Sequence, residues 1–239
     1  MTDPGFRAKL PGFYELRDCI PSVFPDLEKA LEDQCCLETF ALWDELQGLD
    51  PAAWDSIKRK ACQYQDLDQW GRGRQQLFDA LGEAFAYNYL SKTLRCSELR
   101  FIPTTKQRTP DIEGVLGGKR ILCEVKTINI SDVEIQARSQ SLQVRDVKAS
   151  LSQEFLGKLD ATIETAENQM RSYDPKREAR HLAYINLCFD DWAGFYHDDY
   201  REQINQHLSN KRSQIDVVVR AESSQEGDIG RGSSIGLIA

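Results

Sequence analysis

The dipeptide Gly117-Gly118 constrains the fold of this chain more than any other feature. Two β-prone runs flank it, and glycine can adopt the positive φ angles that a tight two-residue hairpin turn demands. A turn closed by these glycines fixes the pairing along both strands and places Asp111 directly opposite Glu124. The sequence therefore predicts a β-hairpin with two acidic residues facing each other at its open end.

The alternation of side chains along a strand separates apolar from charged residues in this hairpin. Val115 and Leu122 interrupt the charged face near the turn, so the charges gather at the open end. Directly opposed like charges destabilise a sheet by up to about 1 kcal/mol, and a bound divalent cation would remove that conflict. The apolar face consists of Ile112, Leu116, Ile121, Cys123 and Val125, and the charged face of Asp111, Glu113, Glu124 and Lys126.

Charge and composition restrict the class of protein. The 239 residues carry a net charge of −8, concentrated in residues 1–70, which argues against a protein that coats nucleic acid nonspecifically. No run is apolar and long enough for a membrane span, and the N-terminus lacks a secretory signal, so we expect a cytoplasmic protein with no membrane contact. Seven cysteines without a Cys-x-x-Cys pair are expected to be reduced, mostly buried thiols.

The hydrophobic pattern predicts an α/β fold. The expected order is helix, three-strand meander, helix, strand, helix, strand, which gives a central mixed sheet flanked by helices. We expect helices within 22–65 and over 73–91, 151–173 and 200–210, and strands over 97–103, 181–189 and 214–219. Three divisions follow: a helical N-terminal subdomain over 1–70, a core over 71–221, and a flexible C-terminal tail over 222–239, whose last five residues could dock back.

With this order of elements, two short motifs resemble those of the PD-(D/E)XK nuclease superfamily, which has a restriction-endonuclease-like core. Pro110-Asp111 matches the first motif element and Glu124-Val125-Lys126 the second, over a resemblance that covers about residues 73–190. Helical residues 1–70 and the chain after about residue 190 lie outside it.

Three further residues extend the resemblance. Glu83 matches the acidic residue that many members carry on the helix before the meander. Gln169 and Tyr173 look like the Gln-x-x-x-Tyr element of the RecB-type branch, where these side chains help to shape the substrate site. Taken alone, Glu83 would more often be a surface or helix-paired glutamate, and Gln169 and Tyr173 an ordinary i, i+4 pair.

The resemblance implies a metal-dependent nuclease that hydrolyses phosphodiester bonds, with DNA favoured over RNA. Asp111, Glu124 and the backbone carbonyl of Val125 would hold Mg²⁺ or Mn²⁺, and Glu83 would bind a second metal or its water. Lys126 would stabilise charge on the phosphate. Cutting both strands of a duplex with one site per chain would favour a homodimer.

Other interpretations of the same residues stay open. The hairpin acids could form a solvated face with a cross-strand ion pair, or a structural metal site in a protein that never meets nucleic acid. A nuclease-like domain could also be catalytically silent and bind a protein partner through its acidic N-terminal helices. Two further acidic-x-Lys triplets, Asp146-Val147-Lys148 and Asp174-Pro175-Lys176, lack a hairpin turn and a paired acid, so we do not place a site there.

One dense group of basic residues lies at the end of the predicted helix that bears Gln169. Cations at this position suit the negative end of a helix dipole, and they could equally bind phosphates beside the site. The group consists of Arg171, Lys176, Arg177 and Arg180.

Overall fold

The computed structural model describes residues 46, 48–62, 72–103, 108–128, 150–187, 197–210, 214–221 and 234–238. The chain divides into two compact units, Met1–Thr93 and Leu94–Ala239. The described part of the first unit is helical, as predicted. The helices expected before residue 46, the turn over 104–107, the polar stretch over 131–149 and most of the tail lie outside the described residues.

Two helices form the described part of the first unit: α1 (Pro51–Cys62) and α2 (Arg72–Asn88), which continues into a π-helical turn over Tyr89–Thr93. The Asp50 side chain caps α1 by accepting hydrogen bonds from the N–H groups of Ala52 and Ala53 at 3.0 and 2.9 Å. Its second carboxylate oxygen accepts a hydrogen bond from the Tyr87 hydroxyl, so the cap also fastens α1 to α2.

The second unit is a six-stranded mixed sheet with two described helices. The strands lie in sequence order across the sheet, with the pairs β3–β4 and β4–β5 parallel and the other three antiparallel. The elements are β1 (Ser97–Phe101), β2 (Ile112–Leu116), β3 (Lys119–Ile128), α3 (Gln153–Tyr173), β4 (Arg180–Leu187), α4 (His197–Ser209), β5 (Asp216–Ala221) and β6 (Ser234–Ile238).

The hairpin turn and its register are confirmed. Gly117 and Gly118 adopt φ angles of 57° and 79°, and Leu116 pairs with Lys119. The ladder then runs in the predicted register as far as the pair of Ile112 with Cys123.

Strand β1 carries an irregularity that depends on a glycine in β2. The register of β1 against β2 shifts between Ser97 and Arg100, as in a β-bulge. A Cβ atom at Gly114 would lie 2.6 Å from the Leu99 side chain and 3.1 Å from the Ser97 carbonyl oxygen, so only glycine allows this close approach of β1 to β2.

The main core lies between one face of the sheet and helices α3 and α4. Alternate residues of β3, β4 and β5 pack there against one stripe of α3 and two residues of α4. The opposite faces of β3 and β4 are buried as well, so these central strands are apolar on both sides. The core cluster includes Leu122, Ile128, Ala183, Ile185, Leu187, Val217, Val219, Leu159, Ile163, Ala166, Met170, Ile204 and Leu208.

One expectation from the sequence needs correction. The charged face of the hairpin is not separate from the core, because Leu122 lies on it and is fully buried under α3. Strand β6, at the end of the predicted tail, pairs antiparallel with β5, so residues expected to dock back do so at the outer edge of that strand. Among the described residues, no helix is both long and apolar enough to cross a membrane.

Candidate functional site

Asp111 lies one residue beyond the end of the β2–β3 ladder. Its N–H donates to the Cys123 carbonyl at 3.0 Å, and its Oδ2 accepts a hydrogen bond from the Val125 N–H at 2.8 Å. The side chain thus takes the place of the next backbone acceptor of the ladder. The ladder ends before a direct pair of Asp111 with Glu124, and the carboxylate instead meets the peptide that joins Glu124 to Val125.

Glu124 and Lys126 share a face of β3, as the period of two predicts. Glu124 is 1% exposed, and its Oε1 lies 2.5 Å from Nζ of Lys126. A buried carboxylate is costly without a nearby cation, and the ammonium of Lys126 supplies one. The Lys126 side chain keeps 28% of its surface exposed, so this side of the pair is in contact with solvent.

Gln169 of α3 connects the lysine to the chain ahead of Asp111. Its side-chain oxygen accepts a hydrogen bond from Nζ of Lys126 at 3.4 Å, and its side-chain nitrogen donates to the Thr109 carbonyl at 2.9 Å. One amide therefore fixes the lysine and the start of the hairpin relative to the helix. The structure brings Gln169 to the predicted site, and Thr109 is a member that the sequence did not single out.

Tyr173 lies one helical turn beyond Gln169 and contacts the hairpin nearer its turn. The Arg120 guanidinium carbon lies 5.7 Å from the centre of the Tyr173 ring, and the two side chains are hydrogen-bonded. The Tyr173 ring also packs against the main core. Tyr173 thus holds the end of α3 against the hairpin, and its partner Arg120 was missed from the sequence, although the hairpin register could have indicated it.

Glu113, the fourth residue of the charged face, is held by two arginines. Its Oε1 accepts from Arg100 at 2.5 Å, and its Oε2 accepts from Arg120 at 2.7 Å. Burial opposes ionisation of Glu113, but the hydrogen bonds from the two guanidinium groups outweigh it and lower the pKa of the carboxyl. Hydrogen bonding to Glu113 in turn raises the pKa of Arg120. This carboxylate is therefore engaged in an ionised triad rather than directed at a metal.

Glu83 belongs to the first compact unit, where its carboxylate pairs with Lys60. The two carboxylate oxygens lie 2.7 and 2.6 Å from Nζ of Lys60, and Glu83 is buried. The ion pair joins α2 to α1 across 23 residues of sequence, a contact that the sequence pattern did not reveal. The proposed role of Glu83 toward a second metal stays a prediction.

The donor set around the Glu124–Val125 peptide suits a hard divalent cation. Mg²⁺ is usually held by one or two carboxylates together with water and substrate oxygens. Asp111 and Glu124 supply two carboxylates. The carbonyl and the N–H of Val125 point to the same neighbouring strand, and the N–H donates a hydrogen bond to the Asp111 carboxylate there. Within the described ranges, no group of three or more acidic, histidine or cysteine side chains could hold a metal ion. The donor set at this peptide consists of two carboxylates and a backbone carbonyl, so it does not depend on such a group.

The acidic-x-Lys triplet Asp174-Pro175-Lys176 has a structural role at the end of α3. Asp174 ends α3 and accepts hydrogen bonds from the N–H groups of Glu178 and Ala179 at 3.2 and 2.9 Å, while His181 contacts it at 3.0 Å. Burial opposes its ionisation, but these hydrogen bonds together lower the pKa of the carboxyl. The triplet at residues 146–148 lies outside the described residues.

Three of the basic residues near the end of α3, Arg171, Arg177 and Arg180, form ion pairs with carboxylates outside the predicted site. Successive residues of an α-helix are rotated by about 100°, which places Glu167 and Arg171 on the opposite flank of the buried stripe from Gln169 and Tyr173. Arg171 and Arg177 both pair with Glu167, the latter at 3.6 Å, and Arg180 pairs with Asp216. The proximity of this basic group in sequence to Gln169 thus does not place it beside Lys126.

No protein-family model, curated protein or solved structure matches this chain. Functional assignment therefore depends on the residues themselves and on their geometry.

Proposed function

We propose that the second unit is a metal-dependent nuclease with a restriction-endonuclease-like core, acting on DNA in preference to RNA. The observation that carries the proposal is that Asp111, Glu124 and Lys126 meet at one peptide bond of β3, the one between Glu124 and Val125. The Asp111 carboxylate accepts a hydrogen bond from the Val125 N–H, while the buried Glu124 carboxylate lies beside the ammonium of Lys126, whose side chain is partly exposed. A solvated hairpin face would have no need to bury Glu124.

In this function Asp111, Glu124 and the Val125 carbonyl would hold Mg²⁺ or Mn²⁺. A bound ion of this kind lowers the pKa of water and neutralises charge on phosphoryl oxygens. Lys126 donates hydrogen bonds to the phosphate oxygen on which negative charge grows during attack. Gln169 keeps the ammonium in place, since its amide joins Lys126 to the Thr109 carbonyl.

A second candidate, a catalytically silent nuclease-like binding module, draws on the same contacts. The Glu124 carboxylate already has a cation beside it in Lys126, and the Asp111 carboxylate already accepts a backbone hydrogen bond. Such an arrangement can stabilise the end of a hairpin without any reaction. Cleavage by the purified protein separates the two candidates.

The decisive experiment is cleavage of labelled single- and double-stranded DNA and RNA by the wild type and Lys126→Gln, each with Mg²⁺, Mn²⁺ or EDTA. Glutamine is preferred to alanine because it keeps a hydrogen-bond donor beside Glu124, whose burial makes loss of any partner destabilising. Lys158→Gln, on the exposed side of α3, is the matched control. We expect metal-dependent cleavage that Lys126→Gln loses and Lys158→Gln retains; undiminished cleavage by folded Lys126→Gln would refute the assignment.

A further inference from the structure

A pair of arginines lies on the sheet face that carries the proposed site, one step closer to the hairpin turn. Arg100 is the direct cross-strand partner of Glu113, and Arg120 is two residues along β3 from Leu122, the partner of Glu113 in that strand. All of them therefore share the face that also bears Glu124 and Lys126.

These arginines are more exposed than the carboxylate that they share. The side chains of Arg100 and Arg120 are 73% and 45% exposed, whereas that of Glu113 is 12% exposed. Two guanidinium groups share a single carboxylate, so the triad keeps one excess positive charge in a chain whose net charge is −8. Each guanidinium carries five N–H donors, and those not used on Glu113 or, for Arg120, on Tyr173 are left to bind another anion.

Among the described elements, helix α3 makes its main contacts with the sheet away from the strand pair β1–β2. It packs on β3 and β4, while Arg100 and Glu113 belong to β1 and β2. The flank of α3 that faces them bears Gln169 and Tyr173, whose contacts reach Lys126 and Arg120 respectively. On this face of the sheet, Arg120, then Arg100 at the level of Leu122, and then Lys126 follow one another along the direction of β3.

We infer that Arg100 and Arg120 form a phosphate-binding subsite for the nucleic-acid backbone, on the turn side of the proposed cleavage site. This inference rests on the proposed function for its substrate class. At about 3.3 Å per residue, Leu122, which pairs with Glu113, lies about 7 Å from Glu124 along β3, and Arg120 lies about 13 Å from Glu124. For a duplex whose axis runs parallel to β3, with a rise of about 3.4 Å per base pair, the subsite meets phosphates about two to four base pairs from the scissile bond.

The chain contains its own matched control for this inference. Glu167 is also shared by two exposed arginines, Arg171 and Arg177, but it lies on the opposite flank of α3. A general effect of positive surface charge would involve both pairs equally. A phosphate subsite in line with Lys126 would involve only Arg100 and Arg120.

The test uses the full chain and a fluorescein-labelled 30-base-pair DNA duplex, with single-stranded DNA and duplex RNA of the same length in parallel. Binding is measured in EDTA at several salt concentrations, and cleavage is measured with Mg²⁺. We expect Arg100→Gln and Arg120→Gln each to reduce the slope of log affinity against log salt by about 0.9. Each should also raise KM about tenfold with little change in kcat.

Arg100→Lys should retain most of the salt slope, since it keeps the positive charge, and Arg171→Gln/Arg177→Gln should bind like the wild type. Thermal melting checks that each variant is folded. Arg100→Gln is decisive if Arg120→Gln disturbs Tyr173, because among the described residues the hydrogen bond and ion pair of the Arg100 side chain involve Glu113.

Unchanged slopes in Arg100→Gln, or equal losses in the two arginine pairs, would overturn the subsite while leaving the nuclease proposal intact. Binding that depends on Arg100 and Arg120 without any cleavage by the wild type would support the subsite and refute the nuclease. A wild type that neither binds nor cleaves any of the three nucleic acids would refute both.

Discussion

Gln169 places its side-chain oxygen 3.4 Å from Nζ of Lys126 while its nitrogen donates to the Thr109 carbonyl at 2.9 Å. The same amide thus contacts the residue that would act on the phosphate and the segment that leads into Asp111. A helix residue in this position controls the orientation of the lysine without needing to touch the reacting atoms.

The first prediction concerns this positioning role. Gln169→Ala should lower kcat by about tenfold and leave KM within about twofold, because a misplaced ammonium loses transition-state contacts more than ground-state binding. Asn168→Ala, at the exposed neighbouring position, should behave like the wild type. Steady-state cleavage kinetics measure both parameters. A normal kcat in Gln169→Ala would show that Gln169 does not position Lys126 for the reaction.

The second prediction concerns the close approach of β1 to β2. Gly114→Ala should lower the free energy of unfolding by about 1–3 kcal/mol, because its Cβ would lie 2.6 Å from Leu99 Cδ2. Gly157→Ala is the control, since no atom lies within 4 Å of its added Cβ and the position is helical, so it should stabilise by up to about 1 kcal/mol. Urea denaturation measures both changes in the free energy of unfolding. The prediction is contradicted if both substitutions stabilise the protein or both destabilise it.

The third prediction concerns pH and the cap at Asp174. Because the folded pKa of this carboxyl is below its ordinary value of 3.8, its ionisation stabilises the fold above that value and loses this effect as pH falls through the folded pKa. Asp174→Asn should therefore be less stable than the wild type at pH 7, by about 1–3 kcal/mol, and the difference should shrink below pH 3.8. Denaturation curves of both proteins at pH 7 and at a pH below 3.8 test this, and a difference in stability that does not depend on pH would contradict it.

The fourth prediction separates two roles of Glu83. Its contact with Lys60 predicts a coupling energy of about 1–3 kcal/mol in a double-mutant cycle of Glu83→Gln and Lys60→Gln, measured by denaturation. If Glu83 also serves the reaction, Glu83→Gln should reduce Mg²⁺-dependent cleavage much more than Lys60→Gln does. Equal reductions of cleavage in the two variants would assign Glu83 to structure alone.

Local sequence signals predicted the elements of the second unit well. The Gly117-Gly118 turn set the register, and Asp174-Pro175 marked the end of α3. The docking of the last residues was expected, but its form as strand β6 beside β5 and the bulge in β1 were not, because they depend on a free sheet edge and on the space above Gly114, which exist only once distant residues have paired.

The candidate site was only partly predictable for the same reason. The period of two placed Glu124 and Lys126 together, and the resemblance to a Gln-x-x-x-Tyr element suggested Gln169. The ion pair of Lys60 with Glu83 and the hydrogen bond of Gln169 to the Thr109 carbonyl join residues that are far apart in sequence. Periodicity within one element carries no information on such contacts.

The last prediction concerns the metal. Asp111→Asn keeps an oxygen that can accept the Val125 N–H, so the end of the hairpin should persist, but it removes the negative charge that a divalent cation needs. Mg²⁺ at about 100 times its dissociation constant should stabilise the wild type by about 2.7 kcal/mol and raise its Tm, and it should have little effect on Asp111→Asn. Cleavage by this variant should fall by at least about a hundredfold.

Asp160→Asn provides the control for that experiment. Asp160 lies on α3, where its carboxylate contacts His207 at 2.8 Å, so the same charge change there should preserve both the Mg²⁺-dependent shift in Tm and cleavage. A shift that persists in Asp111→Asn would place the cation elsewhere in the chain. A shift lost in Asp111→Asn from a wild type that cleaves none of the nucleic acids would instead indicate a structural metal, because binding to the two carboxylates would then stabilise the hairpin end without a reaction.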